Sequence, residues 1–158
     1  VQRVVGVGYR DLGAAEVRRI QEEPERIRAF TDIDIGRGLA RGEPWARWCD
    51  DIVDALPDPV YISLDIDGLD PSLCPHTGTP VPGGLSFQQL QFLLWTLSQR
   101  RQIVGFDLCE VCPSPDSTRE WDANVGARVL YKLAGAAIRS RDPDSALVTE
   151  PPPRRGAP

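Results

Sequence analysis

The 158-residue chain has no methionine, a single histidine (His76) and no apolar run long enough to cross a bilayer. The missing methionine extends to position one, so the expected origin is a non-standard initiation codon or a cut from a longer chain. One histidine leaves no Ser-His-Asp set with an obvious partner, which argues against a triad hydrolase. Lysine and arginine number 18 against 23 acids, a net charge of −5, and no basic run or face stands out. That excludes a nucleic-acid binder on electrostatic grounds. No membrane span and no signal peptide ahead of Val1 fit a cytoplasmic enzyme.

Other signatures are incomplete. Gly6 and Gly8 lack the third glycine of a dinucleotide fingerprint, so their expected role is close approach of a neighbouring backbone. Val81 stands where an EF-hand loop needs its closing glutamate. The His-x-Glu and Pro-Cys-x-x-Cys elements of base deaminases are both absent. Cys49, Cys74, Cys109 and Cys112 do not make a secreted disulfide framework, because the chain is too long and too apolar to need one. Pro113 directly after Cys109-x-x-Cys112 disfavours a thioredoxin-like motif, which must open a helix.

What the chain does have is Val60–Pro71, with the sequence VYISLDIDGLDP. Val60 to Ile66 reads as a strand buried on both faces, as in a parallel sheet. It delivers Asp65, Asp67 and Asp70 within six residues. Strand alternation predicts Asp65 and Asp67 on one face. Ligands in open α/β sheets bind beyond the carboxyl ends of strands, and two hard oxygen donors there suit Mn²⁺ or Mg²⁺. The alternative is that these acids cap a turn punctuated by Gly68 and Pro71.

Around this strand the pattern predicts a strand over Val1–Tyr9 and an amphipathic helix from Glu16 to Phe30 interrupted at Pro24. It then predicts a short strand or turn over Thr31–Ile35 and one helix from Arg37 to Leu56. In that helix Leu39, Trp45, Trp48, Ile52 and Leu56 form an apolar stripe. Leu73–Gly84 is a Pro/Gly-rich loop, and Ser86 caps a helix running to about Arg100. Gln102–Leu108 is a second buried strand, and Trp121–Ile138 a last helix with Asp122 as N-cap. Strands alternating with helices predict an α/β domain, three-layer α/β/α with a mainly parallel sheet, over residues 1–140. Residues 141–158, rich in proline, read as a disordered tail.

Two strand ends then carry acids, Asp65/Asp67 and Glu110. Adjacent parallel strands would bring the three together, walled by the Leu73–Gly84 loop. A cation there could activate a water, and Glu110 could hold a cationic substrate; the alternative for Glu110 is a surface loop acid. A competing set is structural zinc on Cys74, His76, Cys109 and Cys112. Against it, Cys109 at the end of a buried strand is expected to behave as a small hydrophobe.

The stretch Ser63-Leu64-Asp65-Ile66-Asp67-Gly68-Leu69-Asp70-Pro71, followed by Thr77-Gly78-Thr79-Pro80 and Gly83-Gly84-Leu85, resembles the arginase/agmatinase (ureohydrolase) family. Gly105–Pro113 resembles the family's final strand, and Asp122–Arg128 fits its agmatinase-like branch. The resemblance runs from about Val1 to about Leu133. It implies the arginase-like fold and hydrolysis of a guanidino or amidino compound at two bridged Mn²⁺ ions. The reaction would be agmatinase-like, with arginase or formimidoylglutamase as related possibilities. It further implies Asp65 and Asp67 as metal ligands and Glu110 as the guanidinium-binding and catalytic acid. Thr77, Gly78 and Thr79 would line the pocket, and Asp70 and Asp107 would support it. A trimer or hexamer is the implied assembly. The family's Gly-Gly-x-His and Asp-Ala-His-x-Asp motifs are absent, so the chain resembles the C-terminal portion of such an enzyme and offers about two of the usual ligands. A non-catalytic, partner-binding fragment is the alternative that this absence leaves open.

Overall fold

The computed structural model of the chain describes residues 1–116, 118 and 120–144. In chain order they form β1 (Val4–Tyr9), α1 (Ala14–Glu22), β2 (Ile27–Thr31), α2 (Asp32–Ala40) and α3 (Trp45–Ala55). Then come β3 (Val60–Asp65), a single 3₁₀ turn (Ile66–Gly68), α4 (Phe87–Arg100), β4 (Ile103–Cys109) and α5 (Trp121–Arg141). β1 pairs in parallel with β2, and β3 in parallel with β4. The α/β class with parallel strands holds. Among the described residues no helix is long and apolar enough to cross a membrane.

Several elements differ from the sequence expectation. The expected helix Glu16–Phe30 stops at Glu22, because Pro24 cannot continue it, and Ile27–Thr31 becomes β2. The short strand or turn expected over Thr31–Ile35 is instead the last residue of β2 followed by the first residues of α2. The Thr31 hydroxyl accepts the Asp34 N–H and caps α2. The single helix expected over Arg37–Leu56 is two, split where Gly42 adopts φ +87° and Pro44 caps α3. The last helix runs to Arg141 and is preceded by Glu120 as N-cap, so Asp122 lies in its first turn. Of the expected disordered tail, residues 145–158 lie outside the described residues.

The main core gathers one face of β3 and β4 against α4 and α5. Val60, Leu64, Ile66 and Ile103 meet Leu90, Leu94, Leu97, Val125, Val129 and Leu133. A smaller cluster joins Phe30, Ile35, Ile52 and Ala55, with Trp45 and Trp48 packed against it. The tryptophans are packing residues, as their helical stripe suggested. The other face of β3 is not buried. Tyr61 is 60% exposed, and Ser63 and Asp65 are exposed too. The expectation of a strand buried on both faces therefore fails. Its alternation of polar with apolar residues already describes a half-buried strand.

α4 begins where expected. The Ser86 hydroxyl accepts the Gln89 N–H, and the Gln89 side chain accepts the Ser86 N–H. This box fixes the point at which the Leu73–Gly84 loop, leaving the 3₁₀ turn, returns to the core.

Candidate active site

β3 ends at Asp65, and the chain turns at once into the 3₁₀ turn. The Asp65 carboxylate accepts the Asp67 N–H at 3.1 Å. Asp65 thus does cap a turn, and Asp67 lies on that turn rather than further along the strand. The two acids are neighbours by local bonding and not by strand alternation. Partial desolvation at the strand end pushes the Asp65 carboxyl above its usual range. The Asp67 N–H pulls it back, while the Asp67 and Glu110 carboxylates push it further up.

Glu110 follows β4 directly. Register pairs Ser63 with Asp107 and Asp65 with Cys109, so Glu110 emerges beside the Asp65 end. Its backbone has φ +61°, an uncommon conformation for a residue with a side chain. Glu110 is exposed. One Glu110 carboxylate oxygen lies 3.3 Å from where a Cβ on Gly78 would stand, so glycine leaves room for it.

The Thr77–Thr79 turn ties both acids together. The Thr77 hydroxyl donates to the Glu110 carbonyl oxygen at 3.1 Å, and the Thr79 hydroxyl to the Asp67 carboxylate at 2.6 Å. Asp65, Asp67, Glu110, Thr77, Gly78 and Thr79 are thus one cluster, as the strand-end argument expected. Asp70 and Asp107 stand beside it. Asp70 accepts the Ser72 N–H at 2.8 Å, and its bonds from Ser72 hold its carboxyl below the usual range. Asp107 is held low first by the Ser63 hydroxyl at 2.9 Å, then by the Cys109 thiol and Tyr61.

Other residues build the site that sequence reasoning did not single out. Arg10, just past β1, donates to the carbonyl oxygens of Asp67 and Gly68. Asp32, at the start of α2, accepts the Gly84 N–H at 2.9 Å. Gly84 has φ +90°, and a Cβ there would stand 2.5 Å from the Leu69 carbonyl oxygen. The Gly83-Gly84 pair therefore lets the returning loop pass between Arg10 and Leu69. His76 and Asp122 make a third unforeseen contact. The imidazole Nδ1 lies 2.9 Å from one Asp122 oxygen, and the His76 N–H donates to the other at 3.0 Å. Asp122 spends its carboxylate there rather than capping α5. Sequence separation hid all three: 57 residues part Arg10 from Asp67, and 46 part His76 from Asp122.

The zinc set does not assemble. The Cys74 thiol is buried and donates to the Ile66 carbonyl oxygen at 3.2 Å, and burial pushes it up to about 11. The Cys109 thiol is exposed, not a buried hydrophobe, and donates to Asp107 at 3.3 Å. His76 is engaged by Asp122. Among the described residues, no group of three or more His, Cys, Asp or Glu is placed to hold a metal ion. For a divalent cation, the Asp65/Asp67 end fits in donor chemistry, with two hard carboxylates whose mutual repulsion a cation would relieve. It is short in donor number.

A parallel α/β unit that collects carboxylates beyond its strand ends is the architecture of a strand-end active site. The comparisons make the class specific. The sequence model described as "Arginase family" matches residues 1–135. The agmatinase of Pyrococcus horikoshii is 40% identical over 144 residues, 84% of this chain and 50% of that protein. The N(1)-aminopropylagmatine ureohydrolase of Thermus thermophilus is 44% identical over 86 residues, 54% of this chain and 28% of that protein. The crystal structure of the arginase from Bacillus caldovelox superposes with a TM-score of 0.70 at 31% identity, covering 84% of this chain and 42% of that one. The chain belongs to the arginase family and has its α/β fold. It spans about half the length, or less, of the relatives it matches.

Proposed function

We propose that this chain carries the carboxylate side of a guanidino-hydrolase site. The observation behind the reading is the tie through the Thr77–Thr79 turn, which links Asp67 on one strand end to Glu110 on the next. Asp65 and Asp67 would hold manganese. Mn²⁺ accepts hard oxygen ligands, and the site's own repulsion favours a cation. A divalent ion bound there would supply a water acidified toward neutral pH and a counter-charge for the acids. Glu110 would receive a planar guanidinium through two parallel N–H bonds. Its left-handed backbone accompanies a carboxylate that lies beside Gly78, next to the strand end that carries Asp65. Thr77, Gly78 and Thr79 would line the substrate's side of the site, and the bonds of Asp107 to Ser63 and of Asp70 to Ser72 would stiffen the two segments that carry the acids.

The substrate is proposed to be agmatine-like. The pocket loop presents no arginine for a substrate carboxylate. Relatives named for agmatine or its aminopropyl derivative stand at 36–44% identity, whereas two arginases stand at 31%. The chain alone is short in metal donors and is expected to be inactive by itself, so the test is urea release from agmatine by an Mn²⁺-loaded protein in which this chain is joined to the family's histidine-bearing N-terminal part, wild type against Asp65→Ala/Asp67→Ala. The reading expects release that the double variant abolishes. A wild type that releases no urea or other amide product from agmatine, arginine, guanidinobutyrate or formiminoglutamate would sink it.

A further inference from the structure

We propose that His76 and Asp122 form the positioning pair of this site, holding the Thr77–Thr79 turn so that Glu110 and Asp67 face one crevice. The inference rests on the guanidino-hydrolase reading above and adds two residues to it. Asp122 is 2% exposed, yet it is a carboxylate in the first turn of α5. A buried acid must find donors. Its two oxygens take the His76 ring at 2.9 Å and the His76 backbone N–H at 3.0 Å. Burial pushes its carboxyl up, but the His76 ring and N–H and its own backbone outweigh that and leave it below the usual range. It is therefore ionised near neutral pH and can only accept, so His76 Nδ1 carries a proton.

His76 directly precedes Thr77, whose hydroxyl holds the Glu110 carbonyl, and Gly78, which faces the Glu110 carboxylate. A second strut from the same helix end supports the loop: Trp121 Nε1 donates to the Ser72 carbonyl oxygen at 3.0 Å. The order of dependence is α5, Asp122, His76, the turn, then both acids. Glu110 needs such support, because its φ of +61° is held by surroundings and not by local preference.

His76 is the only histidine, so in ¹⁵N NMR of the 158-residue chain its imidazole gives two assignable signals. The wild type is expected to show a protonated Nδ1 whose hydrogen exchanges slowly, a signature that Asp122→Asn removes. His76→Ala is expected to move the amide signals of Thr77, Gly78, Thr79 and Glu110 and, in the active protein, to lower kcat/KM for agmatine by roughly 10- to 100-fold, the scale of a reacting group misplaced by about 1 Å. His76→Asn puts an amide N–H where Nδ1 stands and should recover both readouts, whereas His76→Gln should not. An unprotonated Nδ1 at neutral pH overturns the proposal. So does a folded His76→Ala chain whose turn and Glu110 amides match the wild type. If the wild type releases no urea, the assigned reaction falls, and the amide shifts still decide the positioning.

Discussion

The two faces of the β3–β4 pair show how one short stretch of sequence serves two ends. On one face Val60, Leu64 and Ile103 meet α4 and α5 with almost no exposed surface. On the other, Tyr61, Ser63 and Asp65 lie opposite Gly105, Asp107 and Cys109, and the contacts are polar. Asp107 collects the Ser63 hydroxyl, the Cys109 thiol and Tyr61, while the Tyr61 ring lies over Gly105. The buried face gives the pair its stability. The open face carries Asp65 and Asp107: the charge of Asp65 is a cost, its carboxyl being raised, whereas that of Asp107 is stabilised by Ser63, Cys109 and Tyr61. Alternation separates the core from Asp65 on the strand itself, and the other two acids, Asp67 and Glu110, lie just beyond the strand ends.

Breaking the buried face should have the largest effect. Ile103 is 0% exposed, and Ile103→Ala should lose roughly 2–5 kcal/mol, read from denaturant unfolding. Tyr61→Ala, on the neighbouring strand but the open face, should lose less than about 1 kcal/mol in the same experiment. Similar losses for the two would erase the distinction between the faces. Gly84→Ala comes next, at roughly 1–3 kcal/mol, because alanine would have to hold φ +90° with its Cβ against Leu69. The same change should displace the 3₁₀ turn under Asp67 and weaken any stabilisation by Mn²⁺.

Much of this was legible because it is local. The strands at Val60 and Ile103, the Ser86 cap and the acids at the strand ends follow from runs and caps a few residues long. Their convergence followed from pairing consecutive strands. β2 was hidden because Ile27–Thr31 is short and lies behind a charged helical stretch, although Pro24 marked the break. The split between α2 and α3 was signalled by Gly42 and Pro44 but outweighed by a continuous apolar stripe. Asp65 capping its own turn was one of two open readings, and Asp122 was assigned to a cap when its partner was His76. Arg10 left no local signal, since its half-buried guanidinium is explained only by the carbonyls it meets. The roles proposed for Asp65, Asp67 and Glu110 rest on family resemblance joined to strand-end geometry.

Asp122 links the two faces, since it joins the helix that packs the core to the loop that orders the acids. Its carboxyl is held below the ordinary 3.8, so its contribution is present above that value and is lost as pH falls through the lowered one. Asp122→Asn keeps an acceptor for the His76 N–H but not the charge. It should cost about 1 kcal/mol at neutral pH and flatten the loss of stability below pH 3.8.

Asp65 should behave in the opposite sense, and it is the smallest effect. Its carboxyl is raised above the ordinary 3.8, so between that value and the raised one the folded chain binds more protons than the unfolded chain. Stability from this group therefore falls as pH rises through that window, and above it the ionised carboxylate is a net liability. Asp65→Asn should stabilise the metal-free chain at neutral pH by under about 0.5 kcal/mol, read as a small rise in Tm, because the residue is exposed. If Asp65 holds Mn²⁺ as proposed, the same variant should lose any Tm rise that Mn²⁺ produces in the wild type, since ligand-linked stabilisation requires the ligand. A variant stabilised without metal and indifferent to it would mark Asp65 as held for function. A variant destabilised in both conditions would place Asp65 with the buried face, as a structural cap of the 3₁₀ turn.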